Sequence, residues 1–98
     1  MYIRMLNFET TASNKAEIIA IMDGIIPKIK AKGCKDCMLI MHENDNHYAL
    51  LVFWDSKQQA DAAAPIIGPQ LIPMLNRISK EAVVPRLYEV YEPKLVEA

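Results

Sequence analysis

The sequence predicts an α+β fold of the split βαβ kind, and two observations carry that reading. The first is His47–Ala63, HYALLVFWDSKQQADAA, where a strand-forming run over 48–54 ends in the chain's only Trp. Asp55–Ser56 stop the run, and Lys57–Ala63 read as the first turns of a helix. The second is the order of the remaining segments, strand–helix, strand–strand, helix–strand, with no repeat and no linker. Period-two analysis puts Tyr48, Leu50, Val52 and Trp54 on one face of the central run and Ala49, Leu51 and Phe53 on the other. Both faces are apolar and need cover. A chain of 98 residues rarely supplies two covering layers, so a second copy is expected to cover one face.

Tyr2–Phe8 alternates loosely and is bounded by Glu9-Thr10-Thr11, giving the first strand. On it, Asn7 shares a face with Ile3 and Met5, whereas Arg4 shares the other with Tyr2, Leu6 and Phe8. Ser13 or Asn14 offers an N-cap, with Glu17 in capping-box position after Asn14. Ile18, Ile19, Met22, Ile25, Ile26 and Ile29 then follow helical spacing, predicting an amphipathic helix over 14–32. Gly24 weakens it, and Pro27 removes a hydrogen bond to the Asp23 carbonyl, so a kink is expected there. Lys28, Lys30 and Lys32 suit the C-terminal end of the dipole, and Gly33 suits the C′ position.

Met38–His42 reads as the second strand, joined through the polar turn Glu43–Asn46 to the third at 48–54 as a hairpin. A helix follows from about Ser56 to Ala64. Pro65, Pro69 and Pro73 predict a broken helical region, resuming near Gln70 and ending near Lys80. Arg86–Glu92, RLYEVYE, is the last strand, closed by Pro93. The sum is a ferredoxin-like plait, a four-stranded antiparallel sheet with its helices on one face. It reads as a single domain over 1–98, with its core in 1–92 and a tail at 93–98.

Composition bounds the function. The chain is 52% hydrophobic but only 7% aromatic, so its core is aliphatic and Met-rich. With 11 basic and 12 acidic residues, it lacks the basic excess and the aromatic–basic interleaving that nucleic-acid binding calls for. No apolar run approaches a membrane span, and MYIRMLNFE lacks the charged and apolar regions of a signal peptide. A cytoplasmic protein is expected, and 2 Cys, too few for a disulfide framework, fit a reducing compartment.

Cys34, Cys37, His42 and His47 have zinc-knuckle spacing, but the apolar run Met38–Met41 between them reads as strand. At about 3.3 Å per residue an extended chain puts Cys37 and His42 roughly 16 Å apart, so strand and zinc site exclude one another. No metal is therefore expected. As a redox dithiol, Cys34–Cys37 would sit at the wrong end of a helix dipole, which favours a structural role. His42 and His47 flank the hairpin turn beside Glu43 and Asp45, where solvated residues are usual. Met5, Met22, Met38, Met41 and Met74 read as core fillers more readily than as a ligand site. The 3 Gly, at 24, 33 and 68, form no phosphate loop, and no Ser-His-Asp order suggests a hydrolase.

The GC…C segment at 33–37, the hairpin, and LLVFWDSKQQADAA at 50–63 together resemble the antibiotic-biosynthesis-monooxygenase domain family. The resemblance spans residues 1–92 in element order and is most specific over 33–63. It implies a homodimer whose two sheets pack face to face into an α+β barrel, with a cleft for a small-molecule ligand between each sheet and its own helices. It further implies cofactor-independent oxygenation of a small aromatic or quinol-type substrate. In that role Asn7 and Trp54 are the catalytic candidates, Asn7 through its amide and Trp54 through its indole N–H or stacking face, with Tyr48 and Tyr88 as substrate-binding hydroxyls. Trp54 reads more readily as a large core aromatic, and Asn7 equally as an ordinary hydrogen-bonding residue. The same fold also serves non-catalytic binding or accessory proteins. The haem-degrading branch of the family matches at Asn7 and Trp54, but 56–80 contains no His to act as axial ligand.

Overall fold

The computed structural model describes residues 1–11, 15–42 and 45–92. The elements follow the expected order: β1 (Tyr2–Glu9), α1 (Lys15–Lys30), β2 (Asp36–Met41), β3 (His47–Trp54), α2 (Lys57–Ile78) and β4 (Arg86–Glu89). The strands form one sheet in the order β2-β3-β1-β4, and each neighbouring pair is antiparallel. This is the ferredoxin-like plait.

Strand periodicity decides what the sheet buries. Leu6 lies opposite Leu50, Arg4 opposite Val52, and Tyr2 opposite Trp54, so one parity of β1 and β3 faces the helices. On that side Leu6, Phe8, Leu50, Val52 and Trp54 pack with Ile18, Met22, Ile25 and Ile29 of α1 and Ile67, Leu71 and Leu75 of α2. The other parity carries Ile3 opposite Phe53, Met5 opposite Leu51, and Met38 opposite Leu51 from β2. Among the described residues no helix covers that face: Met38, Ile40 and Tyr88 on it are exposed, and Leu51 and Phe53 are half-buried.

α1 ends at Lys30 rather than 32. Lys32 N–H donates to the Ile29 carbonyl and Gly33 N–H to that of Lys30, each at 3.0 Å, which tightens the last turn. Gly33 turns the chain out of the helix at φ 89, a left-handed conformation that glycine adopts without Cβ strain. The proposed caps Ser13 and Asn14, the turn residues Glu43 and Asn44, and the closing Pro93 lie outside the described residues. β4 stops at Glu89, short of the expected Glu92.

The expected break in the second helix is corrected. α2 runs unbroken through Pro65, Pro69 and Pro73. Each proline removes one backbone donor and costs about 3 kcal/mol in a helix interior. Their spacing of four puts all three on the exposed side of the helix, together with the carbonyls of Asp61, Pro65 and Pro69 that lose a partner. On that side the carbonyls are open to solvent, which is where an unpaired backbone acceptor costs least. The opposite side buries Ala60, Ala63, Ile67, Leu71, Leu75 and Ile78. At roughly 1.5–3 kcal/mol for each large apolar side chain, that burial offsets the proline penalty.

Candidate functional site

The end of β3 and the start of α2 build the site. Trp54 is the last residue of the strand, on the helix-facing side and only 3% exposed. Ser56 then takes an extended conformation and caps α2. Its Oγ accepts from the Gln59 N–H at 3.2 Å, while Gln59 Oε1 accepts from the Ser56 N–H at 3.3 Å. This reciprocal box holds the helix start in place beside Trp54.

The first turns of α2 present Ala60, Ala63 and Ala64 toward the sheet, where larger side chains would fill the space. A cavity of about 100 Å³ results, floored by Leu6, Leu50 and Val52, roofed by Ala60, Ala63, Ala64, Ile67 and Leu71, and bounded by Ile29, Ile72 and Pro85. Only two of its lining side chains are polar, Arg4 and Trp54. No acceptor among the described residues takes the Trp54 N–H, and none of their side-chain nitrogens or oxygens is both buried and unpartnered. The indole N–H therefore reaches accessible space. Arg4 donates from Nη2 to Asp61 Oδ1 at 3.3 Å, which ties β1 to α2.

Of the residues expected to form a site, only Trp54 lines this cavity. Asn7 is in register with Ala49, on the uncovered side of the sheet, and is exposed. It borders two open grooves near the hairpin, of about 270 and 290 Å³, with His47 in each. Tyr48 is on the helix-facing side but is consumed by packing: its ring stacks on Phe8 at 5.4 Å and 14°. Tyr88 faces away from the helices, opposite Ile3, and is 44% exposed. Asn7 and Trp54 therefore do not share one cleft, because side chains an odd number of positions apart on paired strands point to opposite faces.

Arg4 is the residue that the sequence reading passed over. A charge among Tyr2, Leu6 and Phe8, on the buried parity of an alternating strand, is the signal that marks it. Ala60 and Ala63 are a second signal, since small residues on a buried helix face leave room, and Ala64 borders the same space.

Cys37 lies within β2, buried and opposite Val52. Burial, more than the neighbouring Cys34, pushes its thiol up to about 11, the reverse of an activated cysteine. At the hairpin, Asp45 Oδ1 stands 3.3 Å from His42 Nδ1 and 3.1 Å from His47 Nδ1, and His47 Nε2 stands 3.6 Å from Glu9 Oε1. Among the described residues no group of His, Cys, Asp or Glu is disposed to hold a metal ion. The cavity lining contains no His or Cys either, so it offers haem no axial ligand.

No family model and no curated protein matches the chain. Solved structures do resemble it. It superposes on a candidate antibiotic biosynthesis monooxygenase from Deinococcus radiodurans with a TM-score of 0.79, at 17% identity and with 100% of each chain covered. A crystal structure of an antibiotic biosynthesis monooxygenase gives 0.76 at 14% identity, covering 94% of this chain and 100% of that one. A dimeric ferredoxin-like protein from an uncultured marine organism gives 0.72 at 15% identity, covering 98% and 92%. The chain shares the fold of these proteins. No helix among its described residues is long and apolar enough to cross a membrane.

Proposed function

We propose that this protein is a homodimeric, cytoplasmic oxygenase that holds a one-ring phenol or quinol between its sheet and its helices and oxygenates it without metal, flavin or haem. The observation that carries this reading is the cavity beneath α2, whose lining is apolar apart from Arg4 and Trp54. In the proposed reaction the deprotonated phenol passes an electron to dioxygen, a carbon–oxygen bond forms, and the resulting hydroperoxide loses water. One phenol and one dioxygen become one quinone and one water. Such a route needs little acid–base machinery from the protein. It needs a dry wall, an oriented ring and a donor for developing negative charge. The aliphatic lining serves the first, the Trp54 ring the second and its N–H the third. A cavity of about 100 Å³ suits one ring seated with its polar end at the rim, since roughly 150 Å³ encloses a benzene completely.

The uncovered sheet face supports the homodimer. Ile3, Met5, Leu51, Phe53, Met38 and Ile40 on it are apolar, and a partner sheet would cover them together with Asn7 and Tyr88. A relative of the same fold is described as dimeric. In this reading Asn7 and Tyr88 belong to the interface between copies and Tyr48 to the core.

One observation favours a second reading, a binding or accessory protein without turnover: the cavity lining includes no His, Cys, Ser or carboxylate. Oxygen uptake separates the two. Metal-free protein should consume dioxygen with a panel of one-ring phenols and quinols, and Trp54→Phe, which keeps most of the packing, should slow it. Loss of one donor to a developing anion typically costs about 2.7–4 kcal/mol of barrier. A protein inert across the panel, or a rate unchanged in Trp54→Phe, overturns the oxygenase reading.

A further inference from the structure

We propose that Arg4 is the anion-binding residue of the cavity, and that the ligands it selects are small acids with one apolar body and one anionic oxygen group, a carboxylate or a phenolate. The inference rests on the cavity being the ligand site and names the chemistry of what enters it.

Arg4 stands on the helix-facing side of β1, opposite Val52 and next in its row to Leu6, where every other lining side chain except Trp54 is apolar. A guanidinium is costly to withdraw from water unless it is well paired. This one is poorly paired. Its one protein acceptor among the described residues is Asp61 Oδ1, at 3.3 Å, longer than the 2.7–2.9 Å or so of a strong charge-assisted bond. Most of its N–H donors have no acceptor among the described residues.

The two partners differ in burial. The Arg4 side chain is 20% exposed and that of Asp61 is 55% exposed. Asp61 therefore loses little when another anion takes its place, because water receives it. Arg4 has no comparable alternative and stays at the rim. An entering carboxylate would meet the fork of the guanidinium with two parallel N–H···O bonds, which Asp61 does not make.

Trp54 fixes the other end of the polar edge. Tyr2 lies opposite Trp54 and Arg4 opposite Val52, so Arg4 and Trp54 are diagonal neighbours on one face. A single anionic group is the largest polar load that these two can serve. A second charge on the ligand would be buried against Leu50, Ile67 and Leu71 without a partner. Monoacids are accepted, and diacids and cations are rejected.

The chain's single Trp lines the cavity and reports its occupancy. Trp54 fluorescence of the full chain is titrated with benzoate and with benzamide, which share shape and differ in charge. Benzoate should bind about ten- to a hundredfold tighter than benzamide, the range set by a hydrogen-bonded charge. Arg4→Gln should erase that preference, and Arg4→Lys should retain part of it. Asp61→Asn removes an exposed competitor without disturbing the core, and should tighten benzoate while leaving benzamide unchanged. Equal binding of the two probes, a preference that survives Arg4→Gln, or Asp61→Asn without effect on benzoate overturns the inference. Failure of both probes overturns the cavity as a ligand site and this inference with it. A benzoate preference in a protein that consumes no dioxygen leaves the inference standing and removes the oxygenase reading alone.

Discussion

Asn7 and Trp54 lie on opposite faces of the same sheet: Asn7 is in register with Ala49 on the uncovered side, and Trp54 with Tyr2 on the side that holds the helices. The sheet itself stands between them, so no ligand of modest size touches both. Asn7→Ala should therefore leave the Trp54 emission spectrum and probe binding in the cavity unchanged. Trp54→Phe should weaken that binding, because it removes one of the two polar groups in the lining. Isothermal titration of both variants with one small phenol checks the contrast. A binding loss in Asn7→Ala equal to that in Trp54→Phe would contradict this geometry.

The uncovered face gives a prediction on assembly. Phe53 is half-buried opposite Ile3 and Asp36, on the side that no helix reaches. If a second copy covers it, Phe53→Asp places an unpaired charge in the interface, at a cost of about 3–5 kcal/mol. Sedimentation should show a dimer for the native chain and monomer or aggregate for the variant. A native chain that sediments as a monomer at low micromolar concentration would refute the dimer.

The proline row of α2 is a reservoir of stability. Pro69 is exposed in mid-helix, denies a hydrogen bond to the Pro65 carbonyl and crowds it with its ring. Pro69→Ala restores the donor without touching the buried face. The folded state should gain about 1–3 kcal/mol, part of the propensity difference being returned as unfolded-chain entropy. Thermal melting followed by circular dichroism measures it. A lower melting temperature would mean that the ring's steric effect on the helix path is needed for α2 to fit the sheet.

Cys37 gives the pH dependence. Burial raises its thiol to about 11 in the fold, whereas an unfolded cysteine titrates near 8.5. Between those values the folded chain holds a proton that the unfolded chain has released. The associated stability is complete below about pH 8.5 and is lost as pH rises toward 11. Urea unfolding across that window should show a declining midpoint that flattens in Cys37→Ala, on top of a general loss from the missing side chain. An unchanged slope in the variant would show that other groups carry the alkaline dependence.

Element order, strand parity and the two-sided apolar character of β3 were all legible in the sequence. They rest on period-two and period-3.6 patterning, which local sequence carries in full. The helix-facing row Tyr48, Leu50, Val52 and Trp54 is one such case, since alternation alone assigns it. The β1 row was legible too, and it already separated Asn7 from Arg4.

Register and tertiary burial decided the rest. The relation of β1 to β3 depends on which residues pair across the strands, and only that pairing sets Asn7 against Ala49 and Tyr2 against Trp54. Local propensity breaks α2 at Pro65, yet the helix is held by what lies beneath it, Ile67, Leu71 and Leu75 against the sheet. Packing also sorts chemically similar residues. Tyr48 is spent on Phe8, Tyr88 faces away from the helices, and Arg4 is drawn to the rim of a cavity that three alanines leave open. Each of those fates depends on neighbours distant in the chain, which no local pattern encodes.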